Sequence, residues 1–244
     1  MSNLIEFQDV VAGYTHQNIL NDLSFDARQG EITLLIGPNG AGKSTVLKTL
    51  FGMLTPRAGE VRFAGRKING IQPRALMQEG MAFVPQGRNL FGSLSVLHNL
   101  ELGGIHLPKA TLRQRMDEVI TRFPRLSQRL DSRASALSGG EQKQLEIGRA
   151  LLVDPKVLLI DEPSIGLSPL IVQDVMKLLQ GLAAEGKSVL MVEQNVRTAL
   201  KYSHRALALQ MGRLVLDRPA SQLLDDPNLN QLFLGSGHVS AKSE

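Results

Sequence analysis

The sequence predicts an α/β protein in which a mostly parallel sheet is extended by an N-terminal antiparallel β-subdomain and interrupted by an inserted helical subdomain. Three observations predict it. Apolar runs at Ile32–Ile36, Met81–Val84, Val157–Ile160 and Val189–Val192 have the continuous hydrophobicity of strands buried on both faces, and each stops at a glycine, a proline or an acid. The first run leads into Gly37-Pro38-Asn39-Gly40-Ala41-Gly42-Lys43-Ser44, which fits G-x-x-x-x-G-K-[ST] at each specified position. A helical pattern with apolar Val46, Leu47, Leu50 and Phe51 follows from Ser44 to Leu54. Between Leu94 and about Leu152 strand signals vanish and helical periodicity takes over, as in Leu112, Met116, Val119, Ile120 and Phe123.

In chain order, residues 4–12 and 20–26 read as short strands separated by Gly13-Tyr14-Thr15-His16, and Arg28-Gln29-Gly30 turns into the strand before the glycine loop. Tyr14 reads either as the half-buried aromatic of a strand end or as a ring that stacks on a purine. The loop glycines let the backbone turn tightly and aim N–H groups at phosphate oxygens, and the next helix presents the positive end of its dipole. Lys43 is placed to reach β and γ phosphates, and the Ser44 hydroxyl to coordinate Mg²⁺. Gly59–Phe63 and Arg66–Ile68, joined at Ala64-Gly65, read as a hairpin. Gln86 follows the Met81–Val84 strand at its carboxyl end, where open α/β sheets bind ligands.

Within the helical stretch, Ser138 can cap a helix whose first turn holds Gly139, Gly140 and Glu141. That start is either an ordinary cap or a second phosphate-seeking helix terminus. Val157–Ile160 ends in Asp161-Glu162-Pro163, two acids at a strand end. Asp161 suits the Mg²⁺ that bridges phosphates, and Glu162 suits a general base on a water in line with the γ phosphate. An amphipathic helix follows at Leu170–Ala184, with Ile171, Val175, Leu178, Leu179 and Leu182 on one side. Val189–Val192 ends in Glu193-Gln194-Asn195, and Ala206–Gln210 with Arg213–Asp217 reads as a closing hairpin turning at Met211-Gly212. Short helices are expected around Ser221–Leu224 and Asn228–Phe233, and Gly235–Glu244 is small and polar.

Composition narrows the classes. With 244 residues, 43% hydrophobic and 20% charged, the chain can bury the core of one large α/β domain. No cysteine is present, which excludes disulfides, thiol nucleophiles and cysteine-ligated metal. No run approaches the roughly 18 apolar residues of a membrane span, and Met1-Ser2-Asn3-Leu4 begins no signal peptide, so a cytoplasmic location is expected. Net charge is +4 with a pI of about 9.5, but the basic residues are dispersed. The densest cluster, Arg113 to Arg133, is interrupted by Asp117, Glu118 and Asp131 with only Phe123 as an aromatic, so no nucleic-acid partner is expected. The five histidines lie too far apart for metal-ligand spacing.

Together these motifs resemble the ATP-binding subunit of ABC transporters, over nearly the whole chain. Gly37 to Ser44 matches Walker A, Leu158 to Asp161 matches Walker B, and Leu137-Ser138-Gly139-Gly140-Glu141-Gln142 matches the family signature. Gln86 matches the Q-loop glutamine and Tyr14 the adenine-stacking aromatic. The resemblance implies a P-loop NTPase core with ATP and Mg²⁺ as cofactors. It makes Tyr14, Gly37, Pro38, Asn39, Gly40, Ala41, Gly42, Lys43, Ser44, Thr45 and Gln86 nucleotide contacts within the chain. Ser138, Gly139, Gly140 and Glu141 serve the γ phosphate held by another subunit. Ser44, Gln86 and Asp161 form the metal set, and Glu162, Gln194 and Lys43 the catalytic group.

Two departures from the family pattern stand out. Gln194 occupies the place of the switch histidine, and an amide carries no charge and shuttles no proton. Ser168 stands where the family usually has aspartate. Val192-Glu193-Gln194-Asn195, Glu162 to Pro169 and Phe123-Pro124-Arg125-Leu126 resemble the second ATPase of bacterial branched-chain amino acid importers, with urea or short-amide importers as the alternative. That likeness implies a second, different ATPase subunit or a homodimer, two membrane permeases and, indirectly, a periplasmic binding protein. Gln86, Gly87, Arg88, Leu90 and Phe91 are expected to flank the groove for a permease helix, Leu90 and Phe91 being alternatively core residues. One domain spans 1–244: 1–87 and 153–234 as nucleotide-binding core with the antiparallel subdomain, 88–152 as the helical subdomain, and 235–244 as a flexible tail.

Overall fold

The antiparallel part begins with β1 (Asn3–Tyr14) and β2 (Gln17–Arg28), each twelve residues long and so longer than the short strands expected. The reason lies in the register. The pair shifts register repeatedly, Asp9 and Asp22 turn to a φ of 49°, and these irregularities break the alternation that marks a strand in sequence. β1 also pairs with β4 (Ala58–Phe63), which pairs with β5 (Arg66–Lys67), giving the order β2-β1-β4-β5. This computed structural model describes residues 3–87 and 89–226; the expectations for Asn228–Phe233 and Gly235–Glu244 lie outside the described residues.

The second sheet has six strands in the order β10-β9-β3-β8-β7-β6. β3 (Ile32–Ile36), β6 (Met81–Val84), β7 (Val157–Asp161) and β8 (Ser188–Val192) run parallel, as does β9 (Arg205–Gln210) beside β3. β10 (Arg213–Pro219) returns antiparallel to β9. Successive residues of one strand serve opposite sides. Leu158 and Ile160 of β7 join a core that includes Leu145, Ile147 and Leu179, while Val157 and Leu159 join one that includes Val46, Leu47 and Phe7. Both faces are therefore apolar, which is why these strands read as unbroken hydrophobic runs.

α1 (Lys43–Leu50) follows the glycine loop and ends before the predicted Leu54. Gly52 stops it, with a φ of 75° and so close an approach to Ile71 that a Cβ would lie 2.2 Å from its carbonyl oxygen. α2 (Pro73–Gln78) was not legible: six residues are too few for an apolar stripe, and only its N-terminal proline marks it. Between β6 and β7 lie α3 (Val96–Gly103), α4 (Lys109–Arg122), α5 (Pro124–Ser127) and α6 (Gly139–Leu151). α7 (Pro169–Ala184) connects β7 to β8, α8 (Val196–Leu200) precedes β9, and α9 (Ala220–Leu224) follows β10. Among the described residues no helix is long and apolar enough to cross a membrane.

Candidate functional site

A cleft of about 430 Å³ gathers Tyr14, Ile19, Asn39, Gly40, Gly42, Lys43, Ser44, Thr45, Gln86, Glu162 and Gln194. Most of these follow the carboxyl ends of β3, β6, β7 and β8, so the parallel sheet delivers side chains far apart in sequence to one place.

The loop after β3 is held from below. Gly37, at a φ of 145°, approaches Leu209 so closely that a Cβ would lie 2.2 Å from its carbonyl oxygen. The β9–β10 turn supports it too, as the Gly212 N–H donates to the Ala41 carbonyl at 3.0 Å. α1 has Gly42 at its N-cap position, with no side-chain cap and no acid in its first turn, which leaves its N-terminal N–H groups open to an anion. Buried Lys43 donates from Nζ to the carbonyls of Gly37 (2.8 Å) and Pro38 (3.0 Å). Burial lowers its pKa from the ordinary lysine value, and the charges of Glu162 and Asp161 pull it back up.

β7 ends in buried Asp161, whose Oδ1 has no hydrogen-bond partner. Burial raises the pKa of this carboxyl, a hydrogen bond from Ser44 opposes that rise, and the charge of Glu162 adds to it. An unsatisfied buried carboxylate oxygen beside a hydroxyl fits a hard divalent cation, which takes oxygen donors, so the residues present suit Mg²⁺. Glu162 is buried at a φ of 49°, and its N–H donates to the Val192 carbonyl at 2.9 Å. Its carboxylate accepts from the Gln86 amide on Oε2 (2.5 Å) and from the Gln194 amide on Oε1 (2.7 Å). Two glutamines from different loops thus grip one acid.

Tyr14 stands at the end of β1, 42% exposed, with the Lys48 ammonium 5.7 Å from its ring centroid and donating to its hydroxyl at 3.3 Å. Lys48 and Ile19 were not singled out from sequence. For Lys48 the signal was its place one turn after Ser44 on the same helix face; nothing marked Ile19. Ser138 caps α6 in a reciprocal capping box with Glu141, and Ser138 to Glu141 lie outside the residues lining the cleft. A second cavity of about 400 Å³ is lined by Phe83, Pro85, Asn89, Leu102, Glu146 and Arg149 among others. Beside it Leu90 packs against the core, whereas Phe91 is exposed with the Arg149 guanidinium 5.4 Å from its ring centroid.

A glycine loop, an uncapped helix start, a lysine and two strand-end acids around one cleft define a phosphate-loop nucleotide-binding cassette. Residues 20–165 match the family model described as ABC transporter, and the chain belongs to that family. It is 42% identical to the high-affinity branched-chain amino acid transport ATP-binding protein BraG of Pseudomonas aeruginosa, over 95% of this chain and 100% of that protein. It is 36% identical to the probable branched-chain amino acid transport ATP-binding protein LivF of Archaeoglobus fulgidus, over 92% and 95%. Identity is 30% to the lipopolysaccharide export ATP-binding protein LptB of Acidithiobacillus ferridurans, over 96% and 98%. A solved ATP-binding cassette of an ABC transporter in its ADP conformation superposes with a TM-score of 0.87 at 26% identity, covering 96% of this chain and 100% of that one. The chain is accordingly an ABC-type ATPase.

Proposed function

We propose that this ATPase powers uptake of branched-chain amino acids, the observation that carries this cargo being 42% identity along the whole of a branched-chain amino acid transport ATP-binding protein. It works at the cytoplasmic face of the membrane, paired with a second, different ABC ATPase or with another copy of itself. The pair drives two permeases that a periplasmic binding protein supplies. Residues 88–152 form the arm that meets a permease, with exposed Phe91 at the groove, and residues 1–87 and 153–234 hold nucleotide.

In the proposed mechanism Tyr14 stacks on adenine, and Gly37, Pro38, Asn39, Gly40, Ala41, Gly42, Ser44 and Thr45 wrap the phosphates. Lys43 exchanges the Gly37 and Pro38 carbonyls for phosphate oxygens. Asp161, Ser44 and Gln86 would hold Mg²⁺, which would supply neutralisation of the charge on the phosphates. Glu162 accepts a proton from the water attacking the γ phosphorus as the bond to the bridging β–γ oxygen breaks, giving ADP and phosphate. Ser138, Gly139, Gly140 and Glu141 of the paired subunit close over the γ phosphate with their helix terminus. Dimer closure then moves the permeases, and hydrolysis resets them.

Co-purification with membrane subunits, followed by uptake assays, tests the cargo. Uptake of leucine, isoleucine or valine is expected; uptake of urea or a short amide instead replaces it. Gln194 is a second point of test, because an imidazole can donate one N–H to Glu162 as the amide does and can also carry charge. Gln194→His is expected to leave phosphate release unchanged or raised. A large loss would show that the amide has a job of its own.

A further inference from the structure

Glu193 takes no part in the mechanism above, yet it is a carboxylate only 2% exposed. Burying such a group is costly unless donors satisfy it. Here three do. The Ser164 N–H donates to Oε1 at 2.7 Å, the Ser164 hydroxyl to Oε2 at 2.7 Å, and the Gln194 N–H to Oε2 at 3.1 Å. Burial raises the pKa of this carboxyl, and the hydrogen bonds from Ser164 and from the backbone just after Glu193 oppose the rise.

The two segments tied by this group both bear on Glu162. Ser164 lies two residues beyond it, and Gln194 donates its side-chain amide to Glu162 Oε1. Glu162 itself sits at a positive φ that a non-glycine residue holds only when its surroundings enforce it. On the backbone, the Glu162 N–H donates to the carbonyl of Val192, one residue before Glu193, and the Glu162 carbonyl accepts from the Ile165 N–H at 3.3 Å.

We propose that Glu193 is a positioning residue whose carboxylate clamps the loop after β7 to the loop after β8, so that the Gln194 amide holds Glu162 where it meets the attacking water. The proposal rests on reading Glu162 as the base. A carboxylate is required because it only accepts. Glutamine in this place must turn its NH₂ towards either the Ser164 N–H or the Gln194 N–H, so one backbone bond is lost whichever way the amide faces. Release of either loop loosens Glu162 without touching the phosphate loop.

The test measures ATP hydrolysis by the purified full-length chain carrying Glu193→Gln, Ser164→Ala, both together, or Glu162→Gln. Glu193→Gln is expected to lower kcat by about 10-fold or more, the scale of a small misplacement of a reacting group, with KM for ATP little changed and the thermal midpoint lowered only by the several degrees that one lost buried hydrogen bond costs. Ser164→Ala, which removes one of the three donors, costs less, and the double variant falls no further than Glu193→Gln because the groups act as a unit. An undiminished kcat in Glu193→Gln, or a loss shared with KM, overturns the clamp. If Glu193→Gln does not fold, an undiminished kcat in Ser164→Ala overturns it instead. Glu162→Gln separates the two ideas: full activity there removes the base itself, whereas lost activity there with normal Glu193→Gln removes only the clamp.

Discussion

Replacing Glu162 by glutamine is expected to leave ATP binding intact and to cut turnover by about 10²- to 10⁴-fold, the scale of losing a general base. The substitution keeps the shape of a buried side chain and removes its ability to take a proton. The glycine loop, Lys43 and Asp161 are untouched, so the groups proposed to bind phosphate and metal remain. The grip on the side chain changes as well. Gln86 and Gln194 each donate an amide N–H to the present carboxylate, and a glutamine offers an acceptor to only one of them. Phosphate release and nucleotide titration on the same purified preparation give the answer. Unchanged steady-state hydrolysis would remove Glu162 from this role, and weakened binding would show that it also holds nucleotide.

The parallel sheet was legible because burial on both faces leaves a direct trace, a run that is almost wholly apolar, with Thr33 the one polar residue inside β3. Met81–Val84 was located to the residue for that reason, and Val157, Ser188 and Arg205 begin strands within a residue of expectation. The glycine loop was legible because its conformation demands particular residue types at fixed spacing. The long hairpin of β1 and β2 was read as too short because register shifts scramble its alternation. α2, α5 and α8 are too short to carry periodicity. In the cleft, residue types could be read but not their pairing. That Gln86 and Gln194 meet on one carboxylate is decided by strand order, with β7 between β6 and β8. Glu193 showed only as one polar residue among three at a strand end, since nothing local reveals that its donors come from Ser164, 29 positions away.

Gly37→Ala is expected to damage fold and site together. The backbone here has a φ of 145°, which L side chains rarely adopt, and an added Cβ would lie 2.2 Å from the Leu209 carbonyl oxygen, a contact that backbone on both sides cannot accommodate unmoved. Strain and overpacking of this kind each cost about 1–3 kcal/mol. For a domain of this size that sum lowers the thermal midpoint by roughly 4–24 °C. Relief requires the loop to lift off β9, and lifting it displaces the Gly37 carbonyl that holds Lys43 and the Ala41 carbonyl that the Gly212 N–H secures. Nucleotide affinity is therefore expected to fall by at least about tenfold, since the proposed phosphate contacts require the loop's N–H groups to be in register. Gly40→Ala is the comparison that isolates the cause. That residue also has a positive φ, 82°, but a Cβ there meets nothing within 4 Å, so only the conformational cost of about 1 kcal/mol remains. Equal midpoints for the two variants by calorimetry would mean that the packing of the loop on Leu209 contributes nothing. A fall confined to Gly37→Ala would make the strand beneath the loop part of the phosphate site.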